Sequence, residues 1–295
     1  MQILTFSESV NKGIEKLTQL AKSQSREQAK STRASRNLLS QTSKMLNNLE
    51  RSVNRSAKTL TNQVIQDLSP PINFNVGNIL ASDQALNDYI IKNGFGTAIK
   101  DYTDSQNQLI NQVETDLLKM NDTLSFQGNY QDIQVNNIQS CFDDIILPDV
   151  KKNLRDIIQT TAQGAEISAT SKIFLNKLRK VASPQKAEII TKISEFGRDI
   201  TSKSAQEAGI DHFLYFGPSL DGITRPFCSV LVGKVFSKEQ IDQMNNQQTY
   251  SVLKSCGGYR CRHNWTPVSI GYIKSAGLKL GTNQDVQNAN MKAKS

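Results

Sequence analysis

Residues 46–68 read LNNLERSVNRSAKTLTNQVIQDL, and the spacing of their apolar side chains sets the fold class. Leu46, Leu49, Val53, Ala57, Leu60, Val64 and Leu68 follow one another at intervals of three, four, four, three, four and four. That is an eleven-residue repeat of about 3.67 residues per turn, which keeps one apolar stripe on a nearly straight helix. A strand would alternate at every second residue instead. Between Asn11 and Asp67 there is no proline and Gly13 is the only glycine, so nothing here breaks a helix. The stripe has two readings: packing within the chain, or a surface for a second copy or a neighbouring subunit.

Towards the N-terminus, Ile14, Leu17, Leu20 and Ala21 begin a similar stripe, whereas Ser23 to Arg36 is polar and nearly devoid of large apolar residues. That stretch reads as a solvated helix or a hinge. The formal net charge is +8, and residues 1–66 alone hold eleven basic against four acidic side chains. Arg26, Lys30, Arg33, Arg36, Arg51, Arg55 and Lys58 form a candidate surface for DNA or an acidic partner. The plainer reading is a solvated helix face. Few aromatics interleave the charges, so stacking on single-stranded bases is not indicated.

Towards the C-terminus, Ser69-Pro70-Pro71 ends the helix and opens a linker over 69–78. Residues 79–182 read as a helical middle region. Asp83 to Lys92 meets the stop signal Asn93-Gly94. Ile99 to Met120 has a helical face, and Ile133 with Val135 suggests a short strand. Helices follow near Val150–Ile158 and over Glu166–Val181. Ser183-Pro184 opens a further helix, with Gly209 as its left-handed cap. Phe213 to Phe216 then reads as a strand and Ser237-Lys-Glu-Gln240 as a capping box. Tyr259 to Thr266 reads as a last strand, and 273–295 as a flexible polar tail. The expected architecture is mainly α: elongated helical N-terminal and middle regions, with a small α+β cysteine-containing module over 183–272. The apolar fraction of 37% suits helices that bury only a stripe.

Three of the four cysteines fall in that module. Cys228, Cys256, Cys261 and His263 supply three thiolates and an imidazole, a sufficient set for tetrahedral zinc. On a strand, Cys261 and His263 would share a face, and a small module gains from such a staple. The spacing lacks a C-x-x-C knuckle. A disulfide from Cys228 to Cys256 or Cys261 and reduced thiols packed as small apolar groups stay open. Cys141 reads as a core residue, Trp265 as a core plug and His212 beside Asp211 as a surface cap. Asp221 and Thr224 suit a turn, with Arg225 paired to Asp221. No Walker-type loop, G-x-S-x-G elbow or H-E-x-x-H is present, so no enzyme is expected.

The order of these residues resembles the phage Mu-type minor head (head-morphogenesis) protein family. The likeness runs through Gly209, Tyr215, Asp221, Thr224, Arg225, Cys228, Gly233, Phe236, Cys261, Arg262, His263, Trp265 and Pro267. It covers roughly the segment from Glu188 to Pro267. Some relatives carry a second cysteine soon after the first, and Ser229 to Gly233 has none. The resemblance implies a minor capsid protein acting in head assembly, linking portal, shell or packaged DNA, assembled in the host cytoplasm and kept in the virion. Homo-oligomers through the N-terminal helices fit that picture. The alternatives are a zinc-stapled DNA-binding protein of a mobile element, and an effector fused to a head-type module. No apolar run is long enough for a membrane span, and the N-terminus lacks a secretory pattern.

Overall fold

A computed structural model describes residues 6–69, 79–120, 128–163, 166–180, 186–217, 224–248 and 251–294. Most of the expected linker, the Ser183-Pro184 helix start and Asp221 lie outside the described residues. The described chain is mainly α-helical with one small four-stranded sheet near its C-terminus. Among the described residues, no helix is long and apolar enough to cross a membrane. The contacts group into two compact units. One combines residues 1–44, 107–133 and 193–295, and the other residues 45–106 and 134–192. The helices α1 (Phe6–Ser23) and α2 (Arg26–Leu68) open the chain.

In the second unit the stripe from Leu46 to Leu68 is buried along its whole length. It is consumed by packing inside the chain, so it supplies no seam for a second copy. α3 (Asp83–Ile90) is capped by the Ser82 hydroxyl, which accepts from the Ala85 amide at 3.0 Å. Asn93-Gly94 ends it as expected: Asn93 (φ −99°, ψ 31°) and Gly94 (φ +140°, ψ −41°) leave helical geometry, and the chain turns at this kink into α4 (Gly96–Met120). There the Ser56 hydroxyl donates to the Gly94 carbonyl at 2.8 Å, and a Cβ on Gly94 would stand 2.9 Å from the Ser56 carbonyl oxygen. The glycine marks a kink where two backbones touch.

The short strand expected at Ile133 and Val135 is instead part of α5 (Gln131–Cys141). A π-helical turn (Phe142–Ile146) leads to α6 (Leu147–Ala162), whose Val150, Leu154, Ile157 and Ile158 are buried as the periodicity predicts, and α7 (Ile167–Lys180) follows. A polar knot closes this core. Tyr102 donates to Asn137 Oδ1 at 2.7 Å, Gln106 Nε2 donates to the same oxygen at 3.0 Å, and Asn137 Nδ2 donates to the Lys192 carbonyl at 3.0 Å. Cys141 lies 3.4 Å from the Tyr102 hydroxyl, and burial pushes its thiol up to about 12.

In the first unit α8 (Lys186–Glu207) ends at Gly209, φ +64°. The Ile210 and Gly209 amides donate back to the carbonyls of Ala205 and Gln206, the Schellman pattern. Next come β1 (His212–Phe216), α9 (Pro226–Leu231), β2 (Lys234–Ser237), α10 (Lys238–Asp242), α11 (Val252–Ser255) and β3 (Asn264–Pro267). α12 (Ile270–Ser275), β4 (Lys279–Leu280) and α13 (Asn283–Lys292) complete the chain. The sheet order is β3-β1-β2-β4, antiparallel except for β2 with β4. Tyr215 stands opposite Trp265, and Phe213 opposite Phe236 and Pro267. The capping box of Ser237 and Gln240 forms as expected.

Two expectations are corrected here. Residues 273–295 are not a loose tail: α13 starts on a Thr282–Asp285 capping box, buries Val286 and Ala289, and ties Asp285 to Lys234 at 2.7 Å. Its anchors are small, which hid them from a search for large apolar residues. The polar stretch from Ser23 to Arg36 does hold a break, at Gln24-Ser25 between α1 and α2, but the helix after it is not solvated. Ala29, Ser31, Thr32, Ala34 and Ser35 are buried, and their size lets the helix come close. The Ser31 amide donates to the Tyr272 hydroxyl at 3.1 Å, and Ser35 meets Thr266, hydroxyl to hydroxyl, at 3.2 Å. Residues 1–68 are therefore not a separate region; residues 1–44 share a unit with the cysteine module.

Candidate metal centre

Three backbone devices bring the site together. β1 delivers Tyr215 from the middle of the sheet. Pro226 in the first turn of α9 starts a helix whose first full turn carries Cys228. Residues 256–261 then fold as a tight loop and not as the start of the last strand. Cys256 at φ +54°, Gly258 at +93° and Arg260 at +57° rule out extended backbone. The Gly258 amide donates to the Ser255 carbonyl at 2.9 Å and the Cys261 amide to the Gly258 carbonyl at 3.0 Å. Arg225 ties the loop down by donating to the Tyr259 carbonyl.

Cys228, Cys261 and His263 converge in the interior, with their ligand atoms within 4.8 Å of one another. The two sulfurs are 3.8 Å apart, and Cys261 Sγ lies 3.5 Å from His263 Nδ1. A tetrahedral zinc with Zn–S of about 2.3 Å and Zn–N of about 2.05 Å has S···S and S···N edges of about 3.8 and 3.6 Å. Two of the triad's three edges therefore match such a site, and the third lies within 4.8 Å. A disulfide would need the sulfurs at about 2.05 Å, and all four cysteines are free. The cluster can hold a metal ion.

Around the triad the packing is close. The Gly257 amide donates to Cys261 Sγ at 3.2 Å, the kind of bond that favours a thiolate. A Cβ on Gly257 would stand 2.3 Å from Cys228 Sγ, and one on Gly217 would stand 2.6 Å from the His263 ring. Tyr215 stacks on His263 with parallel rings 5.3 Å apart and donates to Cys228 Sγ at 3.2 Å. His263 Nε2 is buried without a hydrogen-bond partner among the described residues. A cavity of about 20 Å³ borders this histidine, room for one water molecule. Trp265 seals the other side, its indole N–H donating to the Val252 carbonyl at 3.0 Å.

Arg198 of α8 holds the loop from behind. It donates to the carbonyls of His263 (3.2 and 3.0 Å), Lys254 (3.2 Å) and Cys261 (2.6 Å). Burial works against its charge, but the surrounding acidic groups Cys256, Cys261, Tyr215 and Glu195 together outweigh it and raise the pKa. The pair Cys228 and Cys261 shares one proton. The hydrogen bond from Cys228 holds the Cys261 thiol well below its ordinary value, and the same bond, with burial, pushes Cys228 up. Burial pushes Cys256 up to about 12. The direction favours the thiolate form at Cys261, the form that binds a metal.

The remaining candidates separate by location. Cys256 is buried beside the triad and bonds the Tyr215 hydroxyl, but its sulfur is not among the three mutually close ligand atoms. Thr224 and Arg225 lead into α9, Gly233 (φ +80°) turns into β2, half-buried Arg262 lies between two site residues, and Pro267 pairs with Phe213. On α2, Arg26, Arg33, Arg51, Arg55 and Lys58 are exposed. Lys30 pairs with Glu27 at 2.7 Å, Arg55 pairs with Asp101 at 2.8 Å, and Arg36 is half-buried against Asn37. Sequence reasoning missed Arg198 and Gly257. Glycine beside a cysteine was a usable signal for close approach; a lone arginine on an otherwise ordinary helix offered none. No family model, no curated protein and no solved structure matches this chain.

Proposed function

We propose that the chain is a virion structural protein of phage head assembly, and that its C-terminal part is a docking module stapled by one zinc ion. One observation carries the reading. Five of the residues that carry the resemblance to the minor head family, Tyr215, Cys228, Phe236, Cys261 and Trp265, lie in one buried cluster, with His263 stacked on its tyrosine. The site favours a structural over a catalytic ion, because Cys228, Cys261 and His263 are 1, 5 and 3% exposed and leave a substrate no approach.

Within this reading the portal or capsid proteins are the partners of the module, and packaged DNA is a second partner of α2 through Arg33, Arg51 and Lys58, whose side chains face solvent. Quantitative mass spectrometry of purified particles tests the assignment. The chain is expected at a fixed copy number in particles or assembly intermediates, and its absence from both overturns the reading. Duplex binding that weakens steeply with salt and is lost in the charge-reversed variant of those three residues would instead favour a DNA-binding protein of a mobile element.

A further inference from the structure

Cys228 and Cys261 bring their sulfurs to 3.8 Å inside the first unit, and both thiols are free. The geometry points to a second state of this pair. When no ion is bound and a hydroperoxide is present, Cys228 and Cys261 close into a disulfide that takes over the staple. The inference rests on the reading of the cluster as a metal centre only for its zinc-bound state.

Distance selects the pair. A disulfide holds its sulfurs about 2.05 Å apart, so closure draws these two together by roughly 1.8 Å. One sulfur sits on the tight loop before β3 and the other in the first full turn of α9, so the approach is shared between a loop and a short helix. The other cysteines stand apart from it. Cys256 is fully buried nearby, but its sulfur is not among the mutually close atoms. Cys141 lies in the second unit against the Tyr102 hydroxyl. The Gly257 amide donates to Cys261 Sγ at 3.2 Å, which supports negative charge on that sulfur and marks it as the attacking one. The bond would join residues 33 positions apart, a cross-link that constrains the unfolded chain as a bound ion does.

Size selects the oxidant. The cavity of about 20 Å³ borders Cys261 as well as His263 and has room for one water molecule. Hydrogen peroxide is little larger than water. In the first step the Cys261 sulfur attacks one peroxide oxygen, the O–O bond breaks, and hydroxide leaves with its electron pair. The product is a sulfenic acid at Cys261. In the second step the Cys228 sulfur attacks the Cys261 sulfur, the S–S bond forms, the S–O bond breaks, and a second hydroxide leaves. The protons of the two thiols turn both hydroxides into water. The sulfurs lose two electrons and the peroxide gains them. A bound ion engages both sulfurs and shields them, and the disulfide removes two of the three ligands, so the two states exclude each other.

The test uses the full chain in two forms, loaded with zinc and stripped of metal by a chelator that is then removed. Both are treated with hydrogen peroxide, denatured, alkylated and mapped by mass spectrometry. In the stripped chain the expected product is one disulfide, Cys228–Cys261, with Cys141 and Cys256 alkylated. The zinc-loaded chain should keep all four thiols, and dithiothreitol should return the oxidised chain to zinc uptake. The same disulfide should form in the Cys256→Ser variant. Pairing with Cys256, linkage between chains, oxidation that stops at Cys261 as a sulfinic acid, or no oxidation of the stripped chain each overturns the inference. The unaltered chain decides these outcomes without any substitution. A chain that closes this disulfide but takes up no zinc supports the pair and sinks the metal reading, whereas one that binds zinc and never closes does the reverse.

Discussion

Two buried clusters in this molecule each place a tyrosine hydroxyl against a cysteine, and they have opposite chemistry. In the second unit, Tyr102, Gln106, Asn137 and Cys141 form a knot of neutral groups whose donors find carbonyl or amide acceptors. Its cysteine is held protonated by burial. In the first unit, Tyr215 meets Cys228, Cys261 and His263 beside a buried arginine, with the Cys261 thiol held well below its ordinary value and His263 Nε2 without a hydrogen-bond partner among the described residues. The neutral knot pairs its donors and leaves the Gln106 Oε1 acceptor without a partner. The first-unit cluster differs in offering three mutually close ligating atoms that could hold an ion. Burial of a cysteine says little; what surrounds it decides.

The largest expected contrast comes from one substitution in each cluster. Cys261→Ser should abolish metal uptake and cost at least about 3 kcal/mol, as for loss of a structural ion or a broken buried charge network. Calorimetry with and without chelator should show the unaltered chain losing stability on metal removal and the variant indifferent to it. Gly257→Ala should mimic that loss by sterics alone, since its Cβ cannot fit beside Cys228. Next in size, Asn137→Ala should cost about 1–3 kcal/mol by removing the buried acceptor that the Tyr102 hydroxyl and the Gln106 amide share. Urea unfolding should show that cost equally with and without zinc, and any zinc dependence would break the distinction between the clusters.

Alkaline pH should act on both clusters of the metal-free chain in the same direction. Cys141 and Cys256 have folded values of about 12 against an ordinary 9.0. Their protonated forms are favoured by folding, so their contribution is full below pH 9 and is lost as pH rises towards 12. Each thiol that stays protonated only in the folded chain costs about 1.4 kcal/mol per pH unit in that window. Cys261 has the opposite sign: its folded value is lowered, so its contribution is present above pH 9 and fades as pH falls through the folded value. Zinc should leave the slope from Cys141 unchanged. Smallest of all, Cys141→Ala should cost about 1 kcal/mol by lost burial and leave metal content unchanged.

How much of this was legible in the sequence follows from side-chain size and from distance along the chain. The stripe from Leu46 to Leu68 is built of large apolar residues at a fixed period, so both its helix and its burial can be read directly. Ala29 to Ser35 and α13 bury small or polar side chains, which look like a solvated surface until a neighbouring backbone is known. Asn93-Gly94 carries a true glycine signal, and the helix stops where it predicts, at a kink. In the site, Cys228, Cys261 and His263 were readable by residue type. The loop geometry that aims them was not, because positive φ at Cys256 and Arg260 belongs to residues that do not favour it. Arg198 is separated from Cys261 by 63 positions, and only the folded chain brings its guanidinium to those carbonyls.

The most direct measurement is the metal content of the full-length chain, purified without chelator or added metal, together with its unfolding midpoint before and after chelation. The account predicts one zinc per chain and a midpoint that falls by roughly 6–12 °C when the ion is removed, as expected for a loss of about 3 kcal/mol. A chain without stoichiometric metal, whose midpoint a chelator leaves unchanged, would contradict it.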